Sequence, residues 1–369
     1  MNILIIGEFS AFAKHLKNGL KQLGHEVTVT MTGDGWKAIK GDKDDICYKI
    51  ESLHIFGKNI PKSYLFYVRG VNKYIDRKLH EKYDGKHLDL IIVINYMFLS
   101  DSWYQAGVKL SFVKKAIEGG AKMIMSVCGG DPSTRNYRPE LYKEWGIKPN
   151  LKSDKRYSFL LKHANVIIPT AYCYYQAVKN YVTREFFDIN KLTNAIPLPI
   201  TIDDDYTASS CVGRKIVIFH GIIRPKMKGT YYIRPAMERL QREYSDRVTC
   251  ICKGGMPYDE YVKVFNSVDI LIDQASGDDG GWGINATIGA KKGKCVLVSC
   301  GNKNEENMGI PNIPFVDIKR DENDIYETLK RLIMNPEEID RIKVESRRFV
   351  EKYCDSIIVA KRYLDTVKS

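Results

Sequence analysis

The chain has 369 residues, 44% of them hydrophobic and 28% charged, a length and balance that suit two globular domains of roughly 150 residues and exclude one small core. Its net charge of +12 is uneven, because residues 1–200 carry 30 Lys and Arg against 19 Asp and Glu and so hold nearly all of the excess. One half therefore faces something anionic, a membrane leaflet, a phosphorylated lipid or a nucleic acid, and the lack of zinc-finger spacing or an RNP-type aromatic strand argues against the last.

No apolar run reaches the roughly 20 residues that a bilayer crossing needs, and MNILIIGEF leads into a polar amphipathic segment rather than a cleavage site. Nine scattered cysteines without zinc or redox spacing indicate reduced thiols, so the expected location is the cytoplasm.

Asn2 to Ile6 reads as an apolar strand. After Gly7-Glu8-Phe9, Ser10 is placed to cap a helix with Phe12, Leu16, Leu20 and Leu23 on one face. Gly24-His25 closes that helix and Val27 to Thr30 begins a second strand, a βαβ opening of the doubly wound type. Gly7 is the one glycine of the dinucleotide fingerprint present, so no NAD or FAD is expected. A Gly/Asp-rich loop with Trp36 follows, then a basic, aromatic stretch over residues 61–87. There Tyr64, Phe66 and Tyr67 could lie on a membrane with Lys62, Arg69, Lys73, Arg77 and Lys78 toward head groups, or pack against the sheet, the commoner use of aromatics.

Strands at Leu88 to Ile94 and Lys122 to Val127, separated by a helix around Ser111 to Glu118, end in Asn95-Tyr96 and in Cys128-Gly129-Gly130-Asp131-Pro132. Loops at strand carboxyl ends are where an open α/β sheet holds its ligand. Asp131 is either a catalytic or substrate-orienting carboxylate or a turn aspartate before proline. Val166 to Pro169 adds a strand. Asn194 to Arg214, with two prolines and Asp203-Asp204-Asp205, reads as a linker whose acid run is expected to be solvated rather than metal-holding.

The α/β rhythm then repeats, with strands expected at Ile216 to Phe219, Val248 to Cys252, Ile270 to Asp273, Val296 to Ser299 and Pro314 to Val316. The first of these is expected to end in a turn at His220-Gly221. Beyond it stand Arg224, Lys228, Gly229 and a helix over Thr230 to Glu243, and strand, glycine turn, two cations and helix start together suit an anionic group. Taken alone, the same residues also read as a solvated basic turn. Helices at Glu322 to Met334, Pro336 to Tyr353 and Ser356 to Val367 complete the pattern.

Several of these stretches carry a resemblance: MNILIIGEFS with LKQLGHEVTV, IPLPI before the linker, HGIIRPKMKGT after it, PYDEYVKVFNSVDILIDQ and GWGINATIGAKKGKCVLVS. The whole chain resembles the GT-B retaining glycosyltransferases of the glycosyltransferase family 4, or "glycosyl transferases group 1", type. That resemblance implies an α/β protein of two Rossmann-like doubly wound domains facing across a cleft. Residues 1–195 would form the acceptor domain, 196–213 the linker, 214–353 the nucleotide-sugar donor domain, and 354–369 a helix crossing back.

Carried over by position, Arg224 and Lys228 match the cations on the donor pyrophosphate, and Gly221 matches a close approach to it. Gly283, Asn285 and Ala286 match the loop whose amides cap it. Asp131 falls near the acceptor hydroxyl, with Gly7, Glu8, Ser10, Asn95 and Gly130 in the acceptor-facing loops. The chain departs from the family where two donor-loop glutamates are usual, having Gly280 and Ile288 instead. Asp278 or Asp279, or Glu305 or Glu306 in the following loop, are the candidates to take over.

The expectation is a cytoplasmic, metal-independent transferase with no cofactor beyond its nucleotide-sugar donor. It would act on a glycan or lipid-linked acceptor at the inner face of an anionic membrane, in cell-surface polysaccharide synthesis. The alternative is a catalytically degenerate GT-B protein that binds a glycan or a partner.

Overall fold

The computed structural model describes the chain apart from residues 33–38, 49–53, 56–57, 60–69, 103, 138, 145, 147–153, 278–279 and 369. Trp36 and the aromatic cluster Tyr64, Phe66 and Tyr67, with Lys62 and Arg69, lie outside the described residues.

The first half builds a six-stranded sheet from β1 (Asn2–Ile6), β2 (Glu26–Met31), β3 (Ile46–Cys47), β4 (Leu90–Val93), β5 (Lys122–Val127) and β6 (Val166–Pro169). All pairings in it are parallel and the order is β6-β5-β4-β1-β2-β3. Continuous β-branched runs suit such a sheet because both faces are buried. Strand periodicity divides them: Leu4, Ile6, Ile91 and Val93 point into one core, while Ile3, Ile5, Leu90 and Ile92 point into the other. Helices α2 (Val71–Tyr83), α3 (Leu110–Glu118), α4 (Pro132–Tyr137), α5 (Lys155–His163) and α6 (Tyr172–Arg184) follow in chain order, and Val71, Ile75, Val113, Leu160 and Val178 cover the first face. Helix α1 (Phe12–Gln22) covers the second through Phe12, Leu16 and Leu20.

The second sheet contains β7 (Ile216–Ile222), β8 (Val248–Gly254), β9 (Ile270–Gln274), β10 (Cys295–Val298) and β11 (Val316–Asp317), all parallel, in the order β8-β7-β9-β10-β11. Around it run α7 (Pro225–Lys228), α8 (Thr230–Glu243), α9 (Tyr258–Ser267), α10 (Ile284–Lys291), α11 (Gly301–Met308), α12 (Glu322–Met334) and α13 (Pro336–Tyr353). Ile233, Met237, Leu240, Ile325 and Leu329 fill one face, and Phe265, Ala286, Ala290 and Phe349 the other.

The last helix, α14 (Ser356–Asp365), leaves this half and completes the second face of the first sheet: Val359, Ala360, Tyr363 and Leu364 share a core with Ile3, Ile5, Phe12 and Ile124. Tyr363 hydroxyl lies 3.3 Å from Ser126 Oγ. Ile200 and Asp355 form a parallel bridge that fixes the chain where it crosses in each direction, with Ile200 N donating to Cys354 O at 2.8 Å and Ser356 N to Ile200 O at 2.9 Å.

Three expectations change. Ser10 does not cap α1; Ser10 and Ala11 are left-handed (φ 55° and 66°), and the Glu8 carboxylate accepts from Lys14 N at 2.9 Å instead, from before the N-cap position at Ala11. Strand β7 does not end at Phe219 but runs on through His220 and Gly221 to Ile222, because all three pair with β8, opposite Cys252, Lys253 and Gly254. The linker acids are not merely solvated: Asp203 pairs with Lys291 at 2.7 Å and Asp205 with Lys292, tying the linker to α10. Among the described residues no helix is long and apolar enough to cross a membrane.

A Cβ built on Gly19 would lie 1.9 Å from the Ser356 carbonyl oxygen, so α1 and α14 touch backbone to backbone. Gly→Ala inside a helix ordinarily stabilises by about 1 kcal/mol. Here Gly19→Ala is predicted to do the reverse, by about 2 kcal/mol or more in a denaturant titration, because the overpacked contact forces the two helices apart.

Candidate functional site

In an open doubly wound sheet the strand order reverses at one place, and the loops that part there leave a crevice at the carboxyl ends of the strands. In the second sheet that place lies between β7 and β9. His220 sits near the end of β7 with no exposed surface; its ring meets the Ile272 carbonyl at 2.9 Å through Nδ1 and the Thr230 hydroxyl at 2.8 Å through Nε2. Because a carbonyl only accepts, Nδ1 carries the proton and Nε2 accepts from Thr230. Burial first, with Lys228 adding to it, pushes the imidazole down to about 4, so it joins strand β9 to the start of α8 as a neutral group.

Lys228, the last residue of α7, is fixed at both ends. Its carbonyl accepts from Ala275 N at 3.1 Å, and its ammonium lies 2.6 Å from Asp273 Oδ1 and 3.4 Å from Gln274 Oε1. Gly229 makes this approach feasible: it is left-handed (φ 70°), and a Cβ there would stand 2.4 Å from the Ala275 carbonyl. Asp273 is fully buried. Its Oδ1 also accepts from Asn285 Nδ2 at 3.2 Å, while Oδ2 has no hydrogen-bond partner among the described residues and faces the bare Cα of Gly283. Tyr261 hydroxyl in turn orients Asn285 at 2.7 Å.

Gly283 is the residue before α10, so the free amides of that helix start are directed to the same edge, where an anion is stabilised. Arg224 behaves differently from Lys228. It is exposed, and among the described residues its guanidinium has as hydrogen-bond partner only Met227 Sδ, at 4.0 Å.

The remaining expected donor residues fall as follows. Gly221 lies inside β7, where its bare Cα lets the rings of Phe219 and Tyr261 come within 3.4 Å of a built Cβ. Ala286 is buried in α10. Asp278 and Asp279 lie outside the described residues. Ile288, where the family's glutamate would stand, packs into the apolar wall with Phe219, Phe265 and Leu271. Glu305 is committed locally, accepting from Ile313 N at 2.7 Å.

On the first sheet the order reverses between β1 and β4, and Gly7, Glu8 and Asn95 stand at that edge. Asn95 accepts from Met97 N and donates to the Gly129 carbonyl, both at 3.1 Å, which draws the loops after β4 and β5 together; Gly129 and Gly130 are both left-handed (φ 95° and 76°). A Cβ on Gly7 would collide with the Phe98 ring. Asp131 is buried as the cap of α4, its Oδ1 accepting from Ser133 Oγ and, at 3.1 Å, from Thr134 N, and its Oδ2 from Thr134 Oγ1 at 3.3 Å. Tyr157 hydroxyl backs this up with a 2.8 Å bond to Ser133. Oδ1 is thus committed at the helix start, the turn reading of Asp131, while Oδ2 has, among the described residues, only a hydroxyl that also lies 3.0 Å from the Asp131 carbonyl.

Sequence reasoning missed Asn304. Buried in α11, it accepts from Tyr172 N at 3.0 Å and donates to the Gly280 carbonyl at 2.7 Å, so one amide ties the start of α6 to the loop before α10. It missed Asp273 as well, although a polar residue closing an apolar strand was the available signal. Among the described residues no three His, Cys, Asp or Glu side chains converge as a metal site.

No family model and no curated protein matches the sequence. Solved structures do match over the full length: sucrose-phosphate synthase from Thermosynechococcus elongatus (TM-score 0.60, 13% identity, 100% of this chain and 98% of that one) and a glycosyltransferase from Rickettsia africae (0.57, 12%, 100% and 97%). HepE from Anabaena, solved in complex with UDP, matches at 0.59 and 11%, covering all of both chains. The fold is thus the two-sheet GT-B fold, similar in structure to nucleotide-sugar glycosyltransferases.

The neutral His220 makes a testable contribution. Its folded pKa of about 4 lies below the ordinary value of 6.5, so the unfolded chain binds the extra proton between the two. The associated stability is present above pH 6.5 and lost as pH falls toward 4, amounting to about 2 kcal/mol at pH 5. His220→Asn, which retains a donor to the Ile272 carbonyl, should therefore lose less melting temperature than the wild type between pH 7.5 and 5; parallel declines would show that the imidazole is not held neutral.

Proposed function

We propose that this protein transfers a sugar from a nucleoside-diphosphate donor to a glycan or lipid-linked acceptor. In the manner of the glycosyltransferase family 4 group, the donor's anomeric configuration would be kept. The observation that carries the reading is the convergence of Lys228, Asn285 and the amide start of α10 at the strand-order reversal of the second sheet, with Arg224 exposed nearby. Charge develops on the diphosphate as the glycosidic bond breaks. Fixed cations and amides directed there offset that charge without a divalent metal.

Gly7, Glu8, Ser10, Asn95 and Gly130, at the carboxyl edge of the first sheet, would present the acceptor, with Asp131 anchored at the start of α4 through Oδ1 and its Oδ2 the group to meet the acceptor hydroxyl. The concentration of positive charge in residues 1–200 suits an acceptor that is itself anionic or embedded in an anionic leaflet. Asp278 and Asp279 remain the candidates for the sugar-facing contact.

A second reading, a non-catalytic glycan- or partner-binding subunit, is favoured by Ile288 standing in the apolar wall where a ribose-binding glutamate is usual. Ile288→Glu separates the two. A large gain in donor affinity would support degeneracy, and loss of native turnover would show a donor site built differently.

Thermal shift and product chromatography over UDP-, GDP-, CMP- and dTDP-sugars test the main reading: one class should stabilise the protein and be consumed. Arg224→Ala should then weaken that nucleotide's binding roughly 10- to 100-fold, as expected for a lost charge-assisted bond. No shift and no turnover with any donor would overturn the proposal.

A further inference from the structure

Lys228 is not a free cation. Its ammonium lies 2.6 Å from a carboxylate with no exposed surface, and the pair is held by Asn285 on one side and by the Lys228–Ala275 backbone bond on the other. The lysine keeps 22% of its side-chain surface and Asp273 none, so of the two it is the lysine that an anion from solvent can reach. Any anion that accepts from Lys228 in the crevice thus stands one ammonium away from a buried negative charge, and repulsion from that charge is little screened by water. Nor can Lys228 leave Asp273 for the ligand, because a buried carboxylate stripped of its cation is strongly disfavoured, and Oδ2 already lacks a hydrogen bond among the described residues.

We infer that Asp273 acts as a charge brake on the diphosphate site. It cancels most of the attraction between Lys228 and the nucleotide, so that the product diphosphate is held loosely enough to leave. The inference rests on the diphosphate reading above and adds to it a residue that sets affinity from behind the contact. Catalysis gains from this arrangement: tight binding of the released nucleotide slows turnover, whereas the extra charge that appears in the transition state is still met by exposed Arg224 and the α10 amides. The two cations therefore divide the work. Lys228 fixes where the phosphate sits, and Arg224, with no carboxylate partner among the described residues, supplies the charge.

The test is Asp273→Asn, which keeps an oxygen for the ammonium but removes the charge. Isothermal titration with UDP, GDP and dTDP first identifies the diphosphate that the wild type binds. For that nucleotide the dissociation constant of the variant should fall at least fivefold, with a steeper weakening by added salt. A merely structural lesion loosens binding and does not tighten it, so the direction of the change separates the two roles.

Asp273→Ala, which removes charge and hydrogen bond together, is the second variant. It should change affinity in the same direction by less, and it takes the place of Asp273→Asn should that variant show no cooperative melt. Variants that melt cooperatively but bind the nucleotide as the wild type does, or more weakly, overturn the brake and leave the diphosphate reading standing. A wild type that binds none of the three diphosphates overturns both.

Discussion

All strands of both large sheets run parallel, and the placing of every chemical group follows from that constraint. A parallel strand cannot be reached by a hairpin, so among the described residues the crossovers other than that from β2 to β3 carry helices, both faces of the sheet are covered, and the polar opportunity lies at the strand ends. The carboxyl ends all fall on one edge, and there the order reversals part the loops: at β1 and β4 in the first sheet, at β7 and β9 in the second. Asp273, His220, Glu8 and Asn95 are buried polar groups within one residue or two of such strand ends, each held by hydrogen bonds that the sheet itself cannot supply.

The electrostatics of the second sheet's edge are those of a site kept close to neutral. The buried pair of Lys228 and Asp273 contributes geometry rather than net charge, a neutral imidazole lies beneath it, and the positive end of α10 adds a partial charge at a fixed position. Arg224 and Lys226 are exposed full charges close by in sequence. Asn304 matters to this arrangement because its one amide bonds both the start of α6 and the Gly280 carbonyl, so the loop that leads into α10 is tied to the first half.

Much of the architecture was legible because β-branched runs and helical periodicity are local signals; every strand of the two large sheets except β3, and helices α1, α3, α8, α12, α13 and α14, were expected within a few residues of where they stand. What failed was punctuation. His220-Gly221 looked like a turn, but glycine in a paired strand serves aromatic packing, and the chain continues to Ile222. Ser10 looked like a cap, and Glu8 does that work from an unusual distance through two left-handed residues. The linker acids looked solvated because their partners, Lys291 and Lys292, lie 88 and 87 residues away. Lys228 was visible as a cation, but the carboxylate that compensates it comes from a different strand, 45 residues on, and no local pattern announces that pairing.

Helix α14 has a consequence for how the protein comes into being. The Ser126–Tyr363 contact spans 237 residues, and the core around Ile3, Ile5 and Phe12 is roofed by Val359, Ala360 and Tyr363. During synthesis, the first sheet therefore waits with part of one apolar face, the part that α1 does not cover, open while the second half is being made. At a usual elongation rate of about 5–20 residues per second, that interval lasts on the order of 10 seconds or more. The core around Ile3, Ile5 and Phe12 is complete only once α14 has been made, more than 300 residues after the strand it covers.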